Sequence, residues 1–426
     1  MMLKKRVIKW IYIWLMVVAW SGCQLGPSQT ASDSPNTPAE ELLAIEADST
    51  GSGKGKAEEQ MVDEETSDET NAEAESRVLR VGDLLNTRTE SQEEAAELTI
   101  EADGNEATLI DAEAAPEVAS EVRVFEIGNE LTIAALKASE IVGSEITIEQ
   151  TLTAGTNYSQ NIASYISEGN RIYGLLTVPF GEPPANGFGA VVFNHGFIPP
   201  AIYQTTERYV VYVDALARSG LVVFKIDLRG HGNSEGEPSG TYFSPAYTID
   251  AISALKSLQT LDFVNPQGIG MWGHSMAGNL VLRAMLVEPD VKAGVIWAGA
   301  VYSYDDFVRY SIADPSFNRR TLDESPIFRR TRAIREAYGE PNTAVPYWRA
   351  VSLTENLNDL QAPVQLHHAL NDDVVNSGYS VDLAAILAAE GKSYELYTYE
   401  GGGHNIGSPY FNEAMQRTIA FFKTNL

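Results

Sequence analysis

Between residues 151 and 426, short continuous apolar runs alternate with longer stretches in which apolar positions recur every three or four residues. The runs "GAVVFNH", "LVVFKID", "GIGMW", "VKAGVIWAG", "PVQLHHA" and "SYELYTY" predict strands, the first a buried one. The intervening "TTERYVVYVDALARSG", "TIDAISALKSLQTL", "AGNLVLRAMLV", "SVDLAAILAAE" and "FNEAMQRTIAFFKTNL" predict amphipathic helices, the first closed by Gly220. Strands that are apolar throughout must be covered on both faces, which implies an α/β fold with a mostly parallel central sheet and helices on either side. Ligands of such sheets bind beyond the carboxyl ends of the strands. Two further runs, "NIASYIS" and "NRIYGLLTVP", make the start of this domain strand-rich. Upstream, "EVRVFEIGNELTI" and "SEITIEQTL" alternate apolar and polar residues, so 121–150 is expected to be an accessory β-rich lead-in.

The pattern vanishes before residue 121. Residues 24–120 hold 25 Asp and Glu against five Lys and Arg and contain no Phe, Tyr or Trp. Such a stretch cannot bury enough apolar surface to offset its ordering entropy, and it is expected to be a disordered acidic linker. It accounts for most of the net charge of −28 of the 426-residue chain, so the acidity describes the linker rather than a substrate. No basic face exists for phosphates, which argues against nucleic acid. Residues 1–23 run from a basic start (Lys4, Lys5, Arg6, Lys9) through apolar "WIYIWLMVVAW" to "SGC", the layout of a secretory signal. The apolar run is short for a membrane span, which needs about 20 residues. Cys23 is the only cysteine, so no intrachain disulfide and no thiolate metal cluster can form. "WSGCQLG" resembles the lipobox of bacterial lipoproteins, with Trp20 where leucine is usual, which implies lipidation of Cys23 and an exported, membrane-anchored protein.

In "GIGMWGHSMAGNLVLRAML" a lone serine, Ser275, stands where a strand hands over to a helix. A turn that tight needs small neighbours, here Gly273, Ala277 and Gly278, and it presents a helix N-terminus to developing negative charge. An ordinary helix cap would also place serine there. A nucleophilic serine needs a base, and the chain offers six histidines. His195 and His231 lie in glycine turns before the serine, His274 is its neighbour, and His367 and His368 end a strand. His404, in the glycine-rich "YEGGGHNIG" between the last strand and the last helix, is the best base. Asp372 and Asp373 follow a strand and precede that histidine, either able to fix the imidazole. The chain order serine, aspartate, histidine is that of the α/β-hydrolase fold.

Residues 151–426 resemble the α/β-hydrolase superfamily, nearest its prolyl-oligopeptidase-like and esterase branches. The resemblance rests on "NRIYGLLTVPFG", "VVFNHGF", "KIDLRGHGNSEG", "GHSMAG" and "PVQLHHALNDDVV", in that order. It implies a Ser275, Asp372, His404 triad, selecting Asp372 over Asp373, although His367 and Ala369 replace the usual aliphatic residue and glycine. It also implies an oxyanion hole from the backbone N–H groups of Met276 and Phe197, and structural roles for Arg229 and His231. The chemistry so implied is acyl transfer to serine and then to water, with no cofactor and no metal. A cap is expected near 301–355, where Tyr302, Tyr304 and Phe307 are candidate walls of a substrate pocket. Its six arginines within 318–336 read as a solvated helix face or as a site for a carboxylate or phosphate. The short acidic N-terminal part carries no propeller repeats, and His195 stands where some peptidases of the family place an oxyanion tyrosine. Both favour esters or small acyl compounds over peptides. A prolyl-oligopeptidase-like peptidase, or a binding protein that kept the fold without turnover, are the alternatives. Palmitate labelling is expected for the wild type and not for Cys23→Ala; equal labelling of the two ends the lipid-anchor expectation.

Overall fold

The computed structural model describes residues 124–310, 312 and 326–426. Cys23 and its signal-like segment, the acidic stretch 24–120 and part of the expected cap lie outside the described residues. Nine strands form one sheet: β1 (Thr147–Thr151), β2 (Tyr158–Ser167), β3 (Asn170–Pro179), β4 (Phe188–Asn194), β5 (Val222–Ile226), β6 (Val264–His274), β7 (Gly294–Trp297), β8 (Val364–Ala369) and β9 (Tyr394–Tyr399). Their order is β1-β2-β3-β5-β4-β6-β7-β8-β9. The pairs among β1, β2, β3 and β5 are antiparallel, and every pair from β5 through β4 to β9 is parallel. The strands β5, β7 and β8 are buried at every position, the polar Lys225, Gln365, His367 and His368 included. Polar β1 is exposed at every position and closes one edge, where Thr, Glu and Gln discourage further pairing.

Described helices are α1 (Ile133–Ala138), α2 (Val210–Arg218), α3 (Ala246–Leu258), α4 (Ala277–Val287), α5 (Tyr304–Tyr310), α6 (Pro326–Tyr338), α7 (Pro346–Val351), α8 (Gly378–Ala389) and α9 (Phe411–Asn425). Residues of α1, α3, α4 and α8 pack into one apolar cluster, those of α2 and α9 into another, which covers the sheet on both faces. Among the described residues no helix is long and apolar enough to cross a membrane.

The second predicted strand of the lead-in, "SEITIEQTL", forms β1, but the first departs from its reading as strand. Residues 129–131 form a 3₁₀ turn, and Thr132 and Ile133 open α1. Thr132 caps that helix by accepting the Ala135 N–H at 3.1 Å, and Ile133 and Leu136 bury one face a turn apart. Apolar spacing that looked like alternation therefore serves a helix. The expected boundary at residue 150 falls inside β1, which pairs with β2. Nor is the lead-in accessory: Phe125 packs edge-on against Tyr338 and Tyr347, and Leu131 shares a cluster with Ile334, Tyr347, Trp348 and Val351. A second difference is that α2 begins at Val210 rather than Thr205, because Tyr209 has φ 60° and cannot continue a right-handed helix.

The helix α5 carries a buried acid. Asp306 is 3% exposed, and its carboxyl pKa is pushed up to about 6, first by burial and then by Asp382, with the Ser303 hydroxyl opposing. Arg309 and Tyr310 both bond to Asp382 at 2.7 Å, so the cation and hydroxyl that could relieve the pair serve Asp382 first. The folded acid holds its proton at pH values where the unfolded chain has lost it. Stability from this group is therefore complete below about pH 4 and lost as pH rises through 6. Melting temperatures measured from pH 4 to 6 are expected to fall less steeply in Asp306→Asn than in the wild type; identical slopes would contradict the assignment.

Candidate active site

The strand β6 ends at His274, and α4 starts at Ala277, so the chain reverses in two residues. Ser275 is the pivot, with φ 55° in the left-handed region. Its N–H donates to the Trp297 carbonyl and its carbonyl accepts the Gly278 N–H, each at 2.9 Å, tying the turn to β7 and to its own helix. A β-carbon on Gly273 would lie 2.7 Å from the Ala277 carbonyl oxygen, and one on Gly278 2.8 Å from the Gly299 Cα. Small residues are therefore imposed by backbone approach. Position 277 is ordinary α-helix, so alanine serves there as well as glycine.

Among the described residues, six non-glycine residues have positive φ. Glu168 is in the β2–β3 hairpin; Tyr209, Ser275, Ala298, Val301 and Ile406 lie in the segments that follow β4, β6, β7 and β9. Such conformations cost roughly 1–3 kcal/mol each and persist only where the surroundings impose them. The strain is concentrated at the carboxyl rim of the sheet.

His404 sits on the loop between β9 and α9 and Asp372 just beyond β8; Asp372 Oδ2 accepts the His404 Nδ1–H at 2.8 Å. Asp373 is exposed. The Asp372 side chain is fully buried, and its other oxygen accepts the N–H groups of Val374 and Val375 at 2.9 Å. His368 adds a contact to Oδ2 at 3.2 Å, a partner that sequence reasoning missed although it stands four residues before the aspartate. Burial opposes ionisation of Asp372, but the bonds from His368 and His404 prevail and hold its carboxyl well below the usual carboxylate range. An ionised Asp372 keeps the proton of His404 on Nδ1 and leaves the Nε2 lone pair for the site. Gly402 has φ 99°, and a β-carbon there would lie 2.9 Å from the Gly407 nitrogen, so the loop can turn only on glycine.

The "HGF" segment after β4 lies against the serine turn. Gly196 is buried, and a β-carbon on it would lie 3.2 Å from the His274 carbonyl oxygen. Phe197 follows it, exposed, while Met276 is buried at the head of α4. His195 is fully buried, with Nδ1 2.7 Å from the Gly196 carbonyl and Nε2 3.4 Å from the Leu228 nitrogen. It therefore holds the loop from beneath and faces no substrate. His231 Nε2 lies 3.1 Å from the Ile198 carbonyl, and Arg229 pairs with Asp250 at 2.6 Å and Glu168 at 2.9 Å.

The candidate pocket walls separate. Tyr302 is 2% exposed within the main core, in the space left by Gly278 and Gly299, so it cannot line a pocket. Tyr304 donates to the Trp348 carbonyl at 3.1 Å and packs edge-on to that indole. Phe307 is exposed. The difference for Tyr302 has a simple cause: two glycines opposite an aromatic ring admit it to the interior, and their pairing is invisible in sequence.

The sheet order, the two helical layers and the strand-to-helix serine turn define the α/β-hydrolase fold. Residues 186–326 match the family described as serine aminopeptidase, S33. Dipeptidyl peptidase 8 of Mus musculus is 25% identical over 254 residues, 58% of this chain and 26% of the peptidase; the chain thus spans about a quarter of that relative. Esterase YjfP of Escherichia coli is 23% identical over 244 residues, covering 55% of this chain and 88% of the esterase. The solved acetyl xylan esterase from Paenibacillus sp. R4 shares the fold, with a TM-score of 0.50 at 19% identity over 69% of this chain and 92% of that one.

Gly273→Ala is expected to destabilise the protein by about 1–3 kcal/mol, the usual cost of forcing a methyl group into packed surroundings. An unchanged denaturation midpoint would show that α4 can retreat from β6.

Proposed function

We propose that the protein hydrolyses esters or other small acyl compounds, with Ser275 as nucleophile, His404 as general base and Asp372 as the group that orients and charges the histidine. His404 Nε2 takes the Ser275 hydroxyl proton as the oxygen attacks the substrate carbonyl. The negative charge on the tetrahedral oxygen is received by the N–H groups of Met276 and Phe197, each donor contributing roughly 2.7–4 kcal/mol in the transition state. His404 returns the proton to the leaving group, which departs to give the acyl-enzyme. Water then attacks the acyl carbonyl as His404 takes its proton, and His404 passes that proton to the departing Ser275 oxygen, releasing the acid and the free serine hydroxyl.

The observation that carries this reading is the 2.8 Å bond between Asp372 and His404. It joins residues 32 apart in sequence, on a loop that meets the neighbour of the strained serine, since His274 bonds the His404 carbonyl. Support for esters comes from YjfP, named as an esterase, which this chain nearly spans, whereas the peptidase relative is covered only in small part. A peptidase is the second reading, favoured by the serine aminopeptidase family over 186–326. The reading extends to location: an exported enzyme tethered through Cys23, with the acidic stretch 24–120 as spacer.

Wild-type protein is expected to react with a fluorophosphonate and to cleave p-nitrophenyl esters faster than aminoacyl-p-nitroanilides. Ser275→Ala should take no label, and Asp372→Asn should lower kcat by roughly 10⁴-fold, the loss seen when a triad histidine is left in the wrong tautomer. Labelling of Ser275→Ala would remove the serine from the mechanism, and faster turnover of the anilides would favour the peptidase.

A further inference from the structure

We infer that Tyr209 and His274 form a hydrogen-bonded strut that sets the spacing between the loop after β4 and the loop bearing His404, making both positioning residues for the reaction proposed above. The path has three bonds. The Gly196 N–H donates to the Tyr209 hydroxyl oxygen at 3.0 Å; the same hydroxyl lies 2.9 Å from His274 Nδ1; His274 Nε2 lies 2.9 Å from the His404 carbonyl oxygen.

Donor and acceptor chemistry allows one direction only. A carbonyl oxygen can only accept, so His274 carries its proton on Nε2. Nδ1 of that neutral ring then accepts from the Tyr209 hydroxyl, whose oxygen in turn accepts from Gly196. The direction needs an uncharged imidazole. Burial, then the adjacent His404, pushes the His274 pKa down to about 3, so the ring stays neutral wherever an esterase is assayed.

Three independent features say that the strut is built rather than incidental. Tyr209 holds φ 60°, a conformation that ends the helix register and that a tyrosine adopts only under constraint. Its ring packs edge-on against Phe193 and Trp272, two buried strand residues that stack on each other. His274 is 3% exposed, and its ring centroid lies 4.5 Å from that of His404, so it braces the base by contact as well as through its backbone. The two ends of the path are neighbours of the proposed chemistry: Gly196 precedes Phe197, and His404 is the base.

The test uses full-length protein, p-nitrophenyl esters and a fluorophosphonate, with Tyr209→Phe, His274→Ala, His274→Gln and the Tyr209→Phe/His274→Ala pair. Each single variant except His274→Gln is expected to lose about ten- to a hundred-fold in kcat, the range produced by displacing reacting groups by up to an ångström, with KM within about two-fold of wild type. The double variant should lose no more than the worse single, since both cut one path. His274→Gln, whose side-chain amide can reach the same carbonyl, should recover part of kcat. Multiplying losses in the double variant, or variants whose melting temperature falls while the kcat of the folded fraction stays at the wild-type value, would overturn the strut. Failure of wild type to be labelled would instead sink the serine mechanism itself, so the two ideas fail by different results.

Discussion

The molecule depends on how closely α4 can approach β6. Gly273 and Gly278 permit a backbone distance that any side chain would forbid, and that approach forces Ser275 into the left-handed region at the top of the sheet. Once the serine turn is fixed there, the segments around it have little freedom. Trp297 holds the turn from one side through its carbonyl, and Gly196 passes close on the other, where a β-carbon would lie 3.2 Å from the His274 carbonyl oxygen. The carboxyl ends of β4, β6, β7 and β8 become a single rim, and the backbone strain gathered along it is offset by the two packed apolar layers beneath.

A second constraint is the satisfaction of one buried carboxylate. Asp372 has two oxygens and four hydrogen-bonding partners, two backbone N–H groups and two imidazoles. No water is needed to complete it, and the charge is stable in a site that burial alone would make hostile to it. His368 is thereby as much a part of the carboxylate's surroundings as His404, but it is held at its other nitrogen by Ser380 at 2.7 Å and buried completely, so it cannot exchange roles with the loop histidine. His367, on the opposite face of the same strand, is absorbed into a different layer, between Gln365 and Tyr399.

What could be read from the residues alone follows from which interactions are local. The strand-to-helix turn is local, and its small residues announce it; so is the glycine-rich loop of His404. The parallel strands were legible because burial on both faces leaves an unbroken apolar run. The choice of Asp372 over Asp373 came from resemblance, and its geometry lies in a turn whose oxygens are claimed by Val374 and Val375. Contacts between distant segments left no trace: the placing of Tyr302 against two glycines, the reach of Tyr209 across to His274, and the helical use of the apolar residues in 131–136. In each case the deciding partner lies far away in the chain or on another element, and periodicity carries no information about it.

The lead-in has one further consequence. Phe125 is inserted against Tyr338 and Tyr347, while Leu131 completes the cluster around Trp348, so α6 and α7 are held by the chain that enters the domain. Tension on the polypeptide upstream of Phe125 would thus be borne first by these aromatic contacts and only afterwards by the sheet. The entrance to the domain is a mechanical fastener for the helices inserted between β7 and β8.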